Sequence, residues 1–149
     1  MLELYKERNN ALISKIMKLS MPNHHTYSMS WREIISHAVE NEAPGYFITF
    51  DTAIKGLRQY RQGRLPPRLN PLKRQMWAEI CSKVDKVKRS LSIKTESDAL
   101  AIVLAGNKAS RFFISVNYAT RLLQSHNYGK KTIDSISLNS NNRNSLQRA

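Results

Sequence analysis

The stretch APGYFITFDTAIKGLRQYRQG, from Ala43 to Gly63, returns 66 residues later as ASRFFISVNYATRLLQSHNYG, from Ala109 to Gly129. Six of the 21 positions are identical: Ala43/Ala109, Phe47/Phe113, Ile48/Ile114, Ala53/Ala119, Leu57/Leu123 and Gly63/Gly129. Tyr46/Phe112 and Thr49/Ser115 are close equivalents. Each shared position has a structural task. The aromatic-aromatic-Ile run reads as a short extended, buried segment. Thr or Ser caps the helix that follows. Ala and Leu face a core, and Gly ends the helix because it takes a left-handed conformation without a Cβ clash. A shorter echo, SWREIISH from Ser30 and MWAEICSK from Met76, shares Trp, Glu, Ile and Ser at an offset of 46. Together these predict one unit written twice: Trp helix, short extended segment, capped helix. The smaller offset implies an insertion of 20 residues in the second copy. On this reading Trp31 and Trp77 occupy equivalent buried positions. A unit so small buries too little surface alone to offset its chain entropy, so the two copies share a core.

The hydrophobic spacing predicts an all-α fold of about six helices. Leu2, Tyr5, Leu12, Ile16 and Leu19, widened by Ile13 and Met17, give an amphipathic helix over 2–19. Met21-Pro22-Asn23-His24-His25 starts a loop. Ser30 caps the next helix, with Glu33 in the capping-box position and Met29 and Ile34 as a hydrophobic staple; Trp31, Ile34, Ile35, Ala38 and Val39 form its stripe. Pro44-Gly45 stops it. Thr49 caps a helix with Phe50, Ala53, Ile54 and Leu57 on one face and Asp51 in its first turn. RLPPRLNP is a rigid loop that ends in an Asn70 cap with Pro71 at the first helical position. The long helix after it runs to about Arg89 or Leu91 and buries Met76, Trp77, Ile80, Val84 and Val87. Thr95 caps an apolar helix over 96–105, with Asp98 in the capping-box place, and Gly106-Asn107 ends it. Ser115 caps a last helix from Val116 to about His126. These elements make one helical domain over 1–129, with pseudo-repeats at about 28–63 and 71–129. Residues 130–149, rich in Ser and Asn, read as a flexible polar tail.

Charge points to a partner. The 149 residues hold 24 Lys and Arg against 11 Asp and Glu, a net charge of +13 and an isoelectric point near 10.2. Such a chain attracts polyanions, and nucleic acid is the commonest of them. The excess is uneven. Between Lys55 and Arg74 lie seven basic residues and no acidic one: Lys55, Arg58, Arg61, Arg64, Arg68, Lys73 and Arg74. The long helix adds Lys83, Lys86, Lys88 and Arg89 against Glu79 and Asp85. Where the first repeat has Lys55, Arg58, Arg61 and Arg64, the second has Arg121, Gln124, Asn127 and Lys130. The shared residues therefore specify a fold, and the unshared charges give the first copy a task. Guanidinium forks pair with phosphate oxygens, and Tyr60, Gln59 and Gln62 supply groups for stacking on bases or bonding to them.

Other chemistries lack their residues. The ten-residue connection before the last helix, with Phe112-Phe113-Ile114 in it, is too long for a conventional helix-turn-helix. His24, His25, His37, His126 and Cys81 match no familiar metal spacing. No phosphate-binding Gly loop, nucleophile elbow or acid pair with a matching base is present, so neither catalysis nor a cofactor is expected. One cysteine precludes an internal disulfide, and no apolar run has the roughly 20 residues of a membrane helix. A cytoplasmic protein without a membrane role is the expectation. The sequence thus predicts a non-enzymatic nucleic-acid-binding accessory or regulatory factor. Its expected contact residues are Lys55, Arg58, Tyr60, Arg61, Arg64, Arg68, Lys73, Arg74, Lys83, Lys86 and Arg89. The alternative is an adaptor or structural subunit whose basic surface docks an acidic protein, a nucleoprotein assembly or a second copy.

Overall fold

A computed structural model describes residues 2–21, 29–106 and 108–126. The Pro22–His25 part of the predicted first loop, Asn107, and the tail from 127 onward, Asn127, Gly129 and Lys130 included, lie outside the described residues. The described chain is all-α: α1 Leu2–Leu19, α2 Trp31–Glu40, α3 Phe50–Arg61, α4 Pro71–Ser90, α5 Glu96–Gly106 and α6 at 116–126. It contains no strand among these residues, only an isolated antiparallel bridge between Ala43 and Ala109.

The caps follow from the sequence. Ser30 Oγ accepts from the Glu33 N–H at 3.2 Å, while the Ser30 hydroxyl itself donates to the Glu33 carboxylate at 3.1 Å. The reach of that carboxylate to the Ser30 N–H, expected from the capping-box spacing, is replaced by this side-chain bond. Thr49 Oγ1 accepts from Thr52 N at 3.2 Å and Ser115 Oγ from Tyr118 N at 3.0 Å. Asn70 Oδ1 accepts from Leu72 N at 2.8 Å, with Pro71 at the first helical position. Gly63 takes φ +66 and ends α3: its N–H bonds the Tyr60 carbonyl and the Arg64 N–H the Gln59 carbonyl.

The two aromatic segments meet at the centre. Ala43 and Ala109 exchange both backbone hydrogen bonds, at 2.9 and 3.0 Å. Tyr46 stacks on Phe113 with ring centroids 6.1 Å apart, and Phe47 on Phe112 at 6.2 Å. The pairing is reciprocal, since Phe113 is the counterpart of Phe47 and Phe112 that of Tyr46 at the offset of 66. Lysines repeat the pattern. Lys15 of α1 donates to the Glu42 carbonyl and lies 5.5 Å over the Phe112 ring. Lys83 of α4 donates to the Lys108 carbonyl and lies 5.2 Å over the Tyr46 ring. Glu42 and Lys108, like Tyr46 and Phe112, are 66 apart. These ring, bridge and lysine contacts recur in both halves.

Buried positions also recur at similar spacing in α1 and α4 and in α2 and α5. Buried Leu12 and Ile16 stand where Ile80 and Val84 stand, 68 residues on. Buried Ile34, Ile35 and Ala38 correspond to Ala99, Leu100 and Val103, behind the Ser30 and Thr95 caps. The expected equivalence of the two Trp helices fails. Trp77 is 7% exposed, but Trp31, at the first position of α2, is 52% exposed. The reason is position: Trp31 shares a helix face with Ile34, Ile35 and Ala38, but as the first residue of α2 it stands at the end of the buried stripe. Tyr5, Met17 and Phe50, also placed on buried stripes by their spacing, are exposed at the ends or edges of those stripes. A further correction concerns Tyr46–Ile48. Phe47 has φ +58, so the segment turns sharply rather than running extended. That turn directs Tyr46 and Phe47 at two different rings across the bridge.

Candidate nucleic-acid interface

The basic residues of α3, the 62–70 connector and α4 separate into two groups. Lys55, Arg58, Arg64, Arg68, Lys86 and Arg89 are exposed. None forms an ion pair among the described residues. Carried on long, hydrated side chains, such charges contribute little to stability and are free to meet an anion. Tyr60, in the last turn of α3, is partly buried and packs against the core.

The second group is committed inside the molecule. Arg61 is the clearest case. Its guanidinium bonds Asp85 of α4 at 2.7 Å and Glu96 of α5. The Asp85 hydrogen bond raises its already high pKa against the opposing effect of burial. Arg61 therefore fastens the end of α3 to α4 and α5. It also sets the basic end of α3 beside the part of α4 that carries Lys86 and Arg89. Lys83 lies over the Tyr46 ring, donates to the Lys108 carbonyl and is 3.7 Å from Glu79. Arg74 donates to the Pro66 carbonyl and so anchors the connector to α4. Lys73 is partly buried, and burial, then the charge of Arg8, hold its ammonium below its ordinary pKa. Local sequence gave no sign of these commitments, because the carboxylates that engage Arg61 lie 24 and 35 residues away.

Glu79 joins the halves and was missed as more than a counter-charge. It accepts from the Tyr46 hydroxyl at 2.6 Å, from the Ser110 N–H at 3.1 Å and from the Ser110 hydroxyl. Burial pushes its carboxyl pKa up, but the Ser110 and Tyr46 hydrogen bonds and the Lys83 charge outweigh that and hold it below 4.5. Burial, with the same Glu79 contact, pushes the Tyr46 phenol far above its ordinary value. The second half lacks this link: Phe112 has no hydroxyl, and the α1 residue matching Glu79 is Ala11.

Among the described residues no group of three or more His, Cys, Asp or Glu could hold a metal ion, and no helix is long and apolar enough to cross a membrane. Cys81 is buried, and that burial raises its thiol pKa. No protein-family model matches the chain, and no curated protein or solved structure matches it.

Proposed function

We propose that this protein binds nucleic acid through the phosphate backbone and performs no catalysis of its own. The observation that carries the reading is the set of exposed cations Lys55, Arg58, Arg64, Arg68, Lys86 and Arg89, none of which forms an ion pair among the described residues. Arg61 holds their helices together while its own charge is satisfied internally. Guanidinium and ammonium groups arranged this way displace condensed counterions from a polyanion, and that release dominates sequence-independent affinity. The architecture belongs to the same proposal: two copies of a three-helix unit, α1–α3 and α4–α6, with the basic surface formed by α3, the connector and α4. The reciprocal Lys15/Lys83 and Tyr46–Phe113/Phe47–Phe112 contacts support that reading. The test is to purify the full chain at low salt and record its absorbance ratio at 260 and 280 nm before and after a high-salt wash. Co-purifying nucleic acid that the wash removes is the expected result. A ratio typical of protein alone, together with capture of an acidic protein, would favour an adaptor instead.

A further inference from the structure

Away from the exposed cations, a cavity of about 450 Å³ opens between α1, the start of α4 and the start of α6. Arg8, Lys73 and Arg121 line it, with Tyr5, Tyr118 and the Ser115 cap, and no acidic residue does among the described residues. Its volume lies in the range of about 300–1,000 Å³ usual for small-ligand sites. Among the described residues none of the three cations forms an ion pair. Arg8 is pre-set: Nε and Nη2 bond Asn9 Oδ1, Nη2 reaches the Tyr118 hydroxyl at 3.3 Å, and the guanidinium lies 4.8 and 5.4 Å from the Tyr5 and Tyr118 ring centroids. Arg121 lies 6.0 Å from the Tyr118 centroid. The three like charges repel one another, and no described acidic residue on the cavity wall offsets them. The N-terminal ends of α4 and α6 adjoin the same space and add positive potential.

The other half provides a comparison within the molecule. A second cavity there is lined by Phe47, Ile48 and Thr52, the counterparts of Phe113, Ile114 and Tyr118, and Tyr5 and Lys73 line both cavities. Its wall is completed by Leu65, Pro66, Leu69 and Trp77, so the chain's own connector closes it with apolar groups. In the first cavity Arg8, Arg121 and Tyr118 stand in place of that apolar wall, with Tyr5 and Tyr118 substantially exposed, 42% and 37%. The contrast is one of chemistry on a shared frame: one cavity has a mostly apolar wall, the other a cationic, aromatic-rimmed one.

We propose that the Arg8–Lys73–Arg121 cavity binds the phosphate of a nucleotide and that Tyr118 and Tyr5 flank its base. The nucleotide is either free or one unit of a single strand, and both present a phosphate beside a flat ring to the same groups. None of Lys55, Arg58, Arg64, Arg68, Lys86 and Arg89 lines this cavity, so the site does not depend on them.

The test titrates the full chain with adenosine 5′-monophosphate, adenosine and inorganic phosphate by calorimetry. The monophosphate should bind more tightly than either fragment. Lys73→Gln and Arg121→Gln should each weaken it about tenfold, the loss of one charge-assisted hydrogen bond. Tyr118→Leu should weaken the monophosphate more than it weakens inorganic phosphate. Arg121 is exposed, so R121Q keeps the test decisive even if K73Q disturbs folding. Competition from an unlabelled single-stranded oligonucleotide would identify the strand as the source of the phosphate. Monophosphate binding without such competition would identify a free nucleotide. Absence of monophosphate binding, or equal affinity in wild type, K73Q and R121Q, would overturn the proposal. R58Q/R64Q should leave monophosphate affinity unchanged, which separates this site from the exposed surface.

Discussion

A Cβ added at Gly56 would overlap the indole of Trp77. Glycine inside a helix costs about 0.5–1 kcal/mol relative to alanine, so its presence in α3 is offset by the close approach of α4 it permits. Gly56→Ala is therefore expected to destabilise the protein by about 1–3 kcal/mol through overpacking, despite the better helix propensity of alanine. Urea unfolding measures this, and a stabilised G56A would contradict the packing. Glu79 acts through charge. Its carboxyl pKa is depressed in the folded state, so the stability it contributes is present above the unfolded value and is lost as pH falls through the folded one. Unfolding midpoints of wild type and Glu79→Gln should accordingly converge as pH drops below 4.5. A constant gap between the two across that range would show that the carboxylate is not the linked group. Neither role was legible in the sequence. Gly56 marks a close approach only once the indole above it is known, and the partners of Glu79 come from Tyr46 and Ser110, in loops 33 and 31 residues away.

At the scale of the elements, local chemistry was largely readable. The Ser30, Thr49, Asn70, Thr95 and Ser115 caps all form, and the helices they start fall within a residue or two of the expected bounds. Capping depends on groups two or three residues apart, which is why a single sequence can reveal it. The end of α4 repeats the termination of α3 with a poorer residue. Ser92 takes φ +53, while Leu91 N and Ile93 N bond the Val87 and Lys88 carbonyls. Gly63 fills the same left-handed position after α3 without a Cβ clash. Ser92→Gly should raise stability by up to about 1 kcal/mol, the strain relieved exceeding the entropy added to the unfolded chain. A lower melting temperature in S92G would mean that the serine side chain has a role of its own. The left-handed turn at Phe47 was not readable in this way, because an aromatic residue disfavours it. The facing rings of Phe112 and Phe113 hold it.

Across the whole molecule, the repeat at an offset of 66 was visible because caps, core alanines and the Phe-Ile run recur in fixed order. The likeness of α1 to α4 that we propose was not: it rests on Leu12/Ile80, Ile16/Val84 and Lys15/Lys83, residues too common to stand out until their contacts are seen. The Trp echo misled because a shared indole says nothing about where along its helix it stands: Trp31 opens α2 at the end of the buried stripe, whereas Trp77 lies inside α4. The basic surface was legible as a count of charges but not as a set of free ones. Arg61 looked equal to Arg58 and Arg64, yet only Arg61 meets carboxylates, on α4 and α5. Variants that test function should therefore spare Arg61. The most direct measurement is the salt dependence of duplex binding by wild type, Arg58→Gln/Arg64→Gln and the charge-matched Lys6→Gln/Lys18→Gln on the exposed side of α1. Each phosphate contact contributes about −0.9 to the slope of log K against log salt. R58Q/R64Q should reduce the magnitude of that slope by about 2 at unchanged stability, while K6Q/K18Q leaves it near the wild-type value. Equal effects from the two double variants would assign the attraction to net charge alone and contradict a defined nucleic-acid surface on α3 and the connector.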